Sequence, residues 1–75
     1  MSAFVVMFGS RPQAVASSLE AARAETVRRE EVKQQGLELR WDEHPRGWRL
    51  MSRQSDKRRF AWTNRWVAEA VEVEA

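Results

Sequence analysis

Apolar and charged residues alternate along the middle of this chain, and this alternation constrains the fold more than any other feature. It is clearest in Leu37–Asp42 and Trp48–Leu50, and it returns in Phe60–Trp62. A period of two is typical of strands that bury one face and expose the other. Polar breaks separate the runs, and the first break, His-Pro-Arg-Gly, has the proline and glycine of a tight turn. The pattern predicts three antiparallel strands, over residues about 37–42, 48–53 and 58–63.

The chain before this region predicts one strand and one helix. Ala3–Phe8 is apolar on both of its faces, which indicates a buried strand. The sequence Ser-Arg-Pro-Gln at 10–13 fits a capping box with proline in the first helical turn. No further glycine or proline follows until Gly36, a natural helix terminator. We therefore expect a long helix over about 11–35. Its narrow apolar stripe comprises Val15, Leu19, Ala22 and Thr26.

The end of the chain carries two conflicting signals. Thr63-Asn64 is a typical helix cap, whereas residues 71–74 alternate like a strand. We expect a short helix from about residue 64, with the acidic end at 67–75 frayed and a strand as the alternative. The overall prediction for residues 1–75 is one α+β domain. In it, the long helix packs on a mostly antiparallel sheet of about four strands, at about 3–8, 37–42, 48–53 and 58–63. Parallel pairing of the first two strands would give a right-handed crossover.

The length and composition of the chain exclude several classes of protein. Seventy-five residues lie near the lower size limit for a single core. The absence of cysteine excludes a disulfide framework and thiolate metal ligands. No apolar run is long enough to span a membrane, and residues 1–8 lack the basic start of a signal peptide. We expect a cytoplasmic protein without membrane association, cofactor or metal.

Charge is distributed unevenly around the net value of +2. Residues 46–66 hold seven basic groups and one acidic group, whereas residues 67–75 hold three glutamates and no basic group. A basic segment beside an acidic one indicates binding to a polyanion, with a merely solvated arginine-rich surface as the alternative.

Few residues are suited to catalysis or metal binding. His44 is the only histidine, cysteine and tyrosine are absent, and no serine lies in a nucleophile elbow. Asp42-Glu43-His44 offers three possible ligands on a proline turn, without a further preorganised position. Gly9-Ser10-Arg11 could hold a phosphate at a helix start, but it has a single glycine and no P-loop lysine. We expect no enzymatic activity.

The four tryptophans have two interpretations, as core residues or as stacking surfaces. Alternation groups Trp41, Trp48 and Trp62 with the aliphatic residues of the strands, so we expect these three in the core. Trp66 lies beyond the alternation and beside Arg65, which makes it the candidate for an exposed, stacking indole.

The other face of the predicted strands carries arginines, with Met51 among them. Guanidinium groups bind phosphate and carboxylate in bidentate fashion. We therefore expect a small binding module for an acidic partner, with nucleic acid as the leading candidate. The alternative is a homo-oligomeric accessory or mobile-element protein that regulates a protein partner. The candidate binding residues are Arg40, Arg49, Arg53, Lys57, Arg58, Arg59, Arg65 and Trp66.

We also expect self-association, because one helix leaves the second apolar face of the first strand uncovered.

Overall fold

The computed structural model describes residues 3–70, and their backbone confirms the α+β class. In chain order the elements are β1 (Ala3–Phe8), β2 (Arg11–Ala16), α1 (Leu19–Lys33), β3 (Glu38–His44), β4 (Gly47–Arg53) and β5 (Ala61–Ala70). The strands form one sheet in the order β2-β1-β5-β4-β3, in which every neighbouring pair is antiparallel. The sheet of residues 3–70 therefore has five strands where about four were expected.

Residues 11–16, which were expected to be helical, form the edge strand β2. Gly9 has a φ of 60°, a left-handed conformation that turns the chain back after β1. Pro12 is tolerated in β2 because an edge strand leaves part of its backbone unpaired. The capping box predicted at 10–13 is therefore wrong, since its serine and proline belong to a turn and to an edge strand.

The helix is shorter than expected and begins at Leu19. Ser18 is its N-cap, and the Ser18 side-chain oxygen accepts a 3.1 Å hydrogen bond from the backbone N–H of Ala21. The helix ends at Lys33, and Gln34 is the C-cap. The helix therefore spans 15 of the 23 residues between Pro12 and Gly36.

One face of the sheet is covered by α1, which packs against β1, β2 and β5. Val6, Ala22 and Val67 form the fully buried centre of this contact. Thr26 is also fully buried, and its hydroxyl donates a 2.7 Å hydrogen bond to the carbonyl of Ala22, so this buried hydroxyl is paired. Half-buried apolar residues surround the centre: Phe4, Ala14, Ala16, Leu19, Trp41 and Trp48. We call this side of the sheet the covered face.

β5 is the central strand, so the helix expected from residue 64 is wrong. Val67 lies opposite Val6 of β1 and Trp48 of β4 in the ladder. Because Val67 is fully buried beneath α1, an extended backbone at this position completes the core. β5 and β4 separate β1 from β3, so a crossover between parallel neighbours does not form. The alternation at 71–74 lies outside the described residues.

Gly47, at the start of β4, permits close approach to β5. A Cβ at Gly47 would lie 1.9 Å from the carbonyl oxygen of Val67, and φ is 152°. We expect Gly47→Ala to destabilise the fold by at least about 3 kcal/mol, because the clash involves backbone that cannot move aside. Gly36→Ala is the matched control, since Gly36 has a φ of 82° but open space around its Cβ position. Its cost should be about 1–2 kcal/mol. If urea unfolding gave the same loss in free energy of unfolding for both variants, the close approach of Gly47 to Val67 would be contradicted.

Glu25 on α1 should stabilise the fold at neutral pH and lose this effect in acid. Hydrogen bonds from Arg28 and then Arg29 lower the pKa of Glu25 from 4.5 to about 2. A carboxyl whose pKa is depressed in the folded state stabilises the fold above its unfolded pKa, and this contribution disappears as pH falls from 4.5 towards 2. We therefore expect Glu25→Gln to lower the melting temperature at pH 7 and to have no effect near pH 2.

Thermal unfolding of parent and variant at both pH values tests this linkage. Glu31→Gln is the matched control, because Glu31 is an exposed carboxylate of the same helix without an ion pair within residues 3–70. A Glu25→Gln effect of the same size at both pH values would show that the side chain acts through packing instead of charge. The effect should be modest, since the Glu25 side chain is 28% exposed and solvent screens the pair.

Candidate functional site

An irregularity in β5 determines which residues of β4 lie opposite its two indoles. Asn64 has a φ of 68°, and four residues of β5 span the distance covered by two residues of β4. As a result, Trp62 lies opposite Met51 and Trp66 lies opposite Arg49. Side chains directly opposite in a ladder share a face. Both indoles therefore lie on the side of the sheet that α1 does not cover.

We call this side the open face. Its residues include Val5, Met7, Val15, Glu38, Arg40, Asp42, His44, Arg49, Met51, Arg53, Trp62 and Trp66. Within residues 3–70 no element packs over it, because α1 contacts β1, β2 and β5 from the covered face. The open face is therefore a solvent-facing surface that combines aromatic, aliphatic and guanidinium groups.

Trp62 is 41% exposed on this face, so the prediction that it lies in the core is wrong. Its indole N–H donates a 3.2 Å hydrogen bond to the carbonyl of Arg65. The guanidinium carbon of Arg49 lies 5.3 Å from its ring centroid, within the range of a cation–π contact. Trp41 and Trp48, by contrast, pack against the core as expected.

Trp66 is half-buried and lies beside the turn that precedes β2. Its indole N–H donates a 2.6 Å hydrogen bond to the carbonyl of Gly9. The ring of His44 meets it edge-to-face, with 6.4 Å between centroids. These two contacts hold the indole in one orientation on the open face.

Phe60 lies between two arginines at the other end of the open face. The guanidinium carbons of Arg40 and Arg53 are 4.3 and 4.7 Å from its ring centroid. Each arginine also pairs with a carboxylate of β3: Arg40 with Asp42 at 2.9 Å, and Arg53 with Glu38. These pairs are solvent-accessible, so they are weak and can exchange for another anion.

The remaining predicted cations, Lys57, Arg58 and Arg59, lie in the exposed loop between β4 and β5. Together with Arg53 they line a cavity of about 550 Å³. No carboxylate of residues 3–70 lines this cavity, so the loop end of the sheet attracts anions. The cavity is also lined by Gln34 and Leu37 near the end of α1, so the loop cations lie at this end of the sheet and meet the open face at Arg53.

Arg65 was also a candidate binding residue, but the structure places it on the covered face. Its Nε donates to a carboxylate oxygen of Glu30 at 2.9 Å, and the two side chains are 11% and 6% exposed. The guanidinium also lies over Phe8, 5.0 Å from the ring centroid. Arg65 therefore links β5 to α1, and it takes no part in the open face.

A small pocket forms where the β3–β4 turn meets β5. Its volume is about 280 Å³, and it is lined by Gly9, His44, Arg46, Arg49, Trp62 and Trp66. Sequence analysis did not assign Arg46 or His44 to a binding surface. The β3–β4 turn reaches Trp66 because β5 continues beside β4 past residue 63, where a helix was predicted.

The trio Asp42-Glu43-His44 does not converge on a point. Asp42 pairs with Arg40, and Nδ1 of His44 accepts a 3.2 Å hydrogen bond from the backbone N–H of Arg46. In residues 3–70, no group of three histidine or acidic side chains is arranged to hold a metal ion.

No family model, curated protein or solved structure matches this chain. In the described part of the chain, no helix has the length and apolar character required to cross a membrane. Function must therefore be argued from the open face itself.

Removing an indole should lower the free energy of unfolding by different amounts on the two faces of the sheet. Trp48 packs against the core and meets Phe4 at a ring separation of 6.0 Å, so Trp48→Ala should cost about 3 kcal/mol. Trp62→Ala should cost only about 1 kcal/mol, because that indole is already 41% exposed. Urea unfolding measures both. A larger loss for Trp62→Ala would place that indole in a core and remove it from the open face.

Proposed function

We propose that this protein is a non-enzymatic binding module that holds single-stranded nucleic acid on its open face. The observation that carries the proposal is the exposed indole of Trp62 on an uncovered antiparallel sheet, with Arg49 over its ring and a second indole, Trp66, lining the same pocket. Exposed aromatic rings on a sheet are a common platform for unpaired bases.

Stacking would supply the base contacts. Each base that stacks on an aromatic side chain contributes about 1–3 kcal/mol, whatever its identity. Trp62 and Phe60 are two such rings, at different positions along the open face. Guanidinium groups lie over both rings, and a planar guanidinium can also stack on a base. A duplex would offer no free base faces to these rings, so single strands are the preferred ligand.

The charge distribution suits the phosphates of such a strand. Arg49 lies beside Trp62, and the loop cations Lys57, Arg58 and Arg59 lie beyond Phe60 at the other end. Arg40 and Arg53 can release their exposed carboxylate partners in favour of phosphate. Binding should therefore be strongest at low salt, because each phosphate contact releases counterions.

Homo-oligomerisation, with binding of a protein partner, is the second candidate. A different part of the open face favours it: Val15 is 71% exposed and lies opposite Val5, with Met7 further along β1. Apolar side chains grouped on an uncovered sheet are typical of a protein–protein contact. The arginine-rich region would then meet an acidic protein surface.

Fluorescence anisotropy with a labelled single strand of about 12 nucleotides, and with the matching duplex, tests the first candidate. The single strand should bind more tightly, and its affinity should fall at least tenfold between about 50 and 200 mM salt. Trp62→Ala should weaken binding by about 1–3 kcal/mol. Arg49→Glu should abolish binding, whereas Arg11→Glu should not. Arg11 is the matched control because it lies opposite Phe8, on the covered side.

Salt-insensitive binding that survives both Trp62→Ala and Arg49→Glu would refute the nucleic-acid proposal. Sedimentation equilibrium decides the second candidate. A dimer that dissociates in Val15→Lys but not in Val32→Lys would assign the open face to a second copy. Val32 is the matched control, since it is 78% exposed on the helix.

A further inference from the structure

We infer that the pocket between the β3–β4 turn and β5 binds one nucleotide through its base and its terminal phosphate. This inference rests on the proposed function, and it specifies which part of the nucleic acid binds at one end of the open face. The pocket volume of about 280 Å³ lies at the lower limit of small-molecule sites, which begin near about 300 Å³. The space therefore suits a single nucleotide.

Both indoles of the pocket are held in place by the protein itself. The N–H of Trp62 is bonded to the Arg65 carbonyl at 3.2 Å, and the N–H of Trp66 to the Gly9 carbonyl at 2.6 Å. Since neither N–H needs a ligand, the rings offer their apolar surfaces to a base. Rings that are already fixed lose little conformational entropy when a base stacks on them.

The cations of the pocket differ from the other arginines of the open face. Arg40 and Arg53 each pair with a carboxylate. Arg46 and Arg49 pair with none within residues 3–70, and no carboxylate lines the pocket. A phosphate can therefore contact two guanidinium groups without displacing an internal partner. Arg49 already lies over Trp62, so a stacked base and its phosphate would be held side by side.

The surroundings of the pocket favour the terminal nucleotide of a nucleic-acid strand over an internal nucleotide. A wider cavity of about 700 Å³ adjoins it around the β3–β4 turn, and Glu43 and Glu69 line that cavity. Glu43 lies opposite Trp48 and Glu69 lies opposite Phe4, so both carboxylates belong to the covered side. A nucleic-acid strand that continued round the turn towards that side would bring its next phosphate near them, and they would repel it. A terminal phosphate monoester carries a charge of about −1.5 to −2, more than an internal diester, and so gains more from paired guanidinium groups. The ligand class is a nucleoside monophosphate, either free or at the end of a strand.

Calorimetric titration with unlabelled oligonucleotides tests the inference. Oligonucleotides of one sequence carry a 5′-phosphate, a 3′-phosphate or no terminal phosphate. We expect one of the phosphorylated forms to bind about tenfold more tightly than the unmodified form. Adenosine monophosphate should bind at least about tenfold more tightly than adenosine or inorganic phosphate, because only the monophosphate engages indoles and guanidinium groups together.

Arg46→Gln supplies the decisive variant, because Arg46 is exposed and its replacement should leave the fold intact. The affinity ratio between phosphorylated and unmodified oligonucleotide should fall close to one in this variant. Arg11→Gln, on the covered side, should leave the ratio unchanged. Equal affinity for all three oligonucleotides, or a ratio that persists in Arg46→Gln, would overturn the inference.

The outcomes separate this inference from the function on which it rests. Strand binding that requires Trp62 but ignores terminal phosphate would support the proposed function and refute the nucleotide pocket. Binding of adenosine monophosphate without any strand binding would support the pocket as a site for free nucleotide and refute the proposed function. A melting temperature close to that of the parent, measured for each variant, assigns any loss of binding to the site.

Discussion

A single helix cannot cover both faces of a five-stranded sheet, and the rest of the structure depends on this constraint. The 15 residues of α1 extend for about 22 Å, and the helix packs against β1, β2 and β5 on one face of the sheet. On that face Val6 and Val67 are fully buried. On the other face Trp62 and Val15 remain in contact with water. A small protein that keeps large apolar side chains exposed has a surface suited to a partner, because burying that surface is favourable.

Arginine has different roles on the two faces. On the covered face Arg65 and Glu30 form a nearly buried ion pair between β5 and α1, and removing either partner would leave an uncompensated charge. Arg23 of α1 lies over Trp41 and Trp48, 5.3 and 5.8 Å from the ring centroids, so its side chain shields those indoles. Arginines of the open face instead lie over rings that water can reach. Arginine content alone therefore could not distinguish structural cations from candidate binding cations.

Alternation along the chain was sufficient to predict the strands that have one buried face. Ala3–Phe8 and the two strands of the β3–β4 hairpin lie where the pattern placed them, within two residues. The edge strand β2 was missed because Pro12 after a serine is equally typical of a helix start. The start of β5 was predicted as a strand, but its part from residue 64 was predicted as a helix because Thr63-Asn64 resembles a cap, whereas these residues form the irregularity of the strand. The irregularity adds an even number of residues, so Trp62 stays on the face of Trp66. A period of two groups the residues of one strand by face, but it does not tell which face the helix covers, and for this reason the facing of Trp62 was predicted wrongly.

The turn at Gly9 connects this irregularity to the orientation of the site. Its backbone N–H donates a 2.7 Å hydrogen bond to the carbonyl of Asn64, and its carbonyl accepts the indole N–H of Trp66 at 2.6 Å. Asn64 has the left-handed φ that a non-glycine residue adopts at an energetic cost, so the bond from Gly9 helps to hold it there. Gly9 thus fixes two parts of the site: the backbone at Asn64, which lies between the two indoles, and the indole ring of Trp66. The open face is in this way preorganised by the β1–β2 turn, which lies outside the basic segment that first suggested binding.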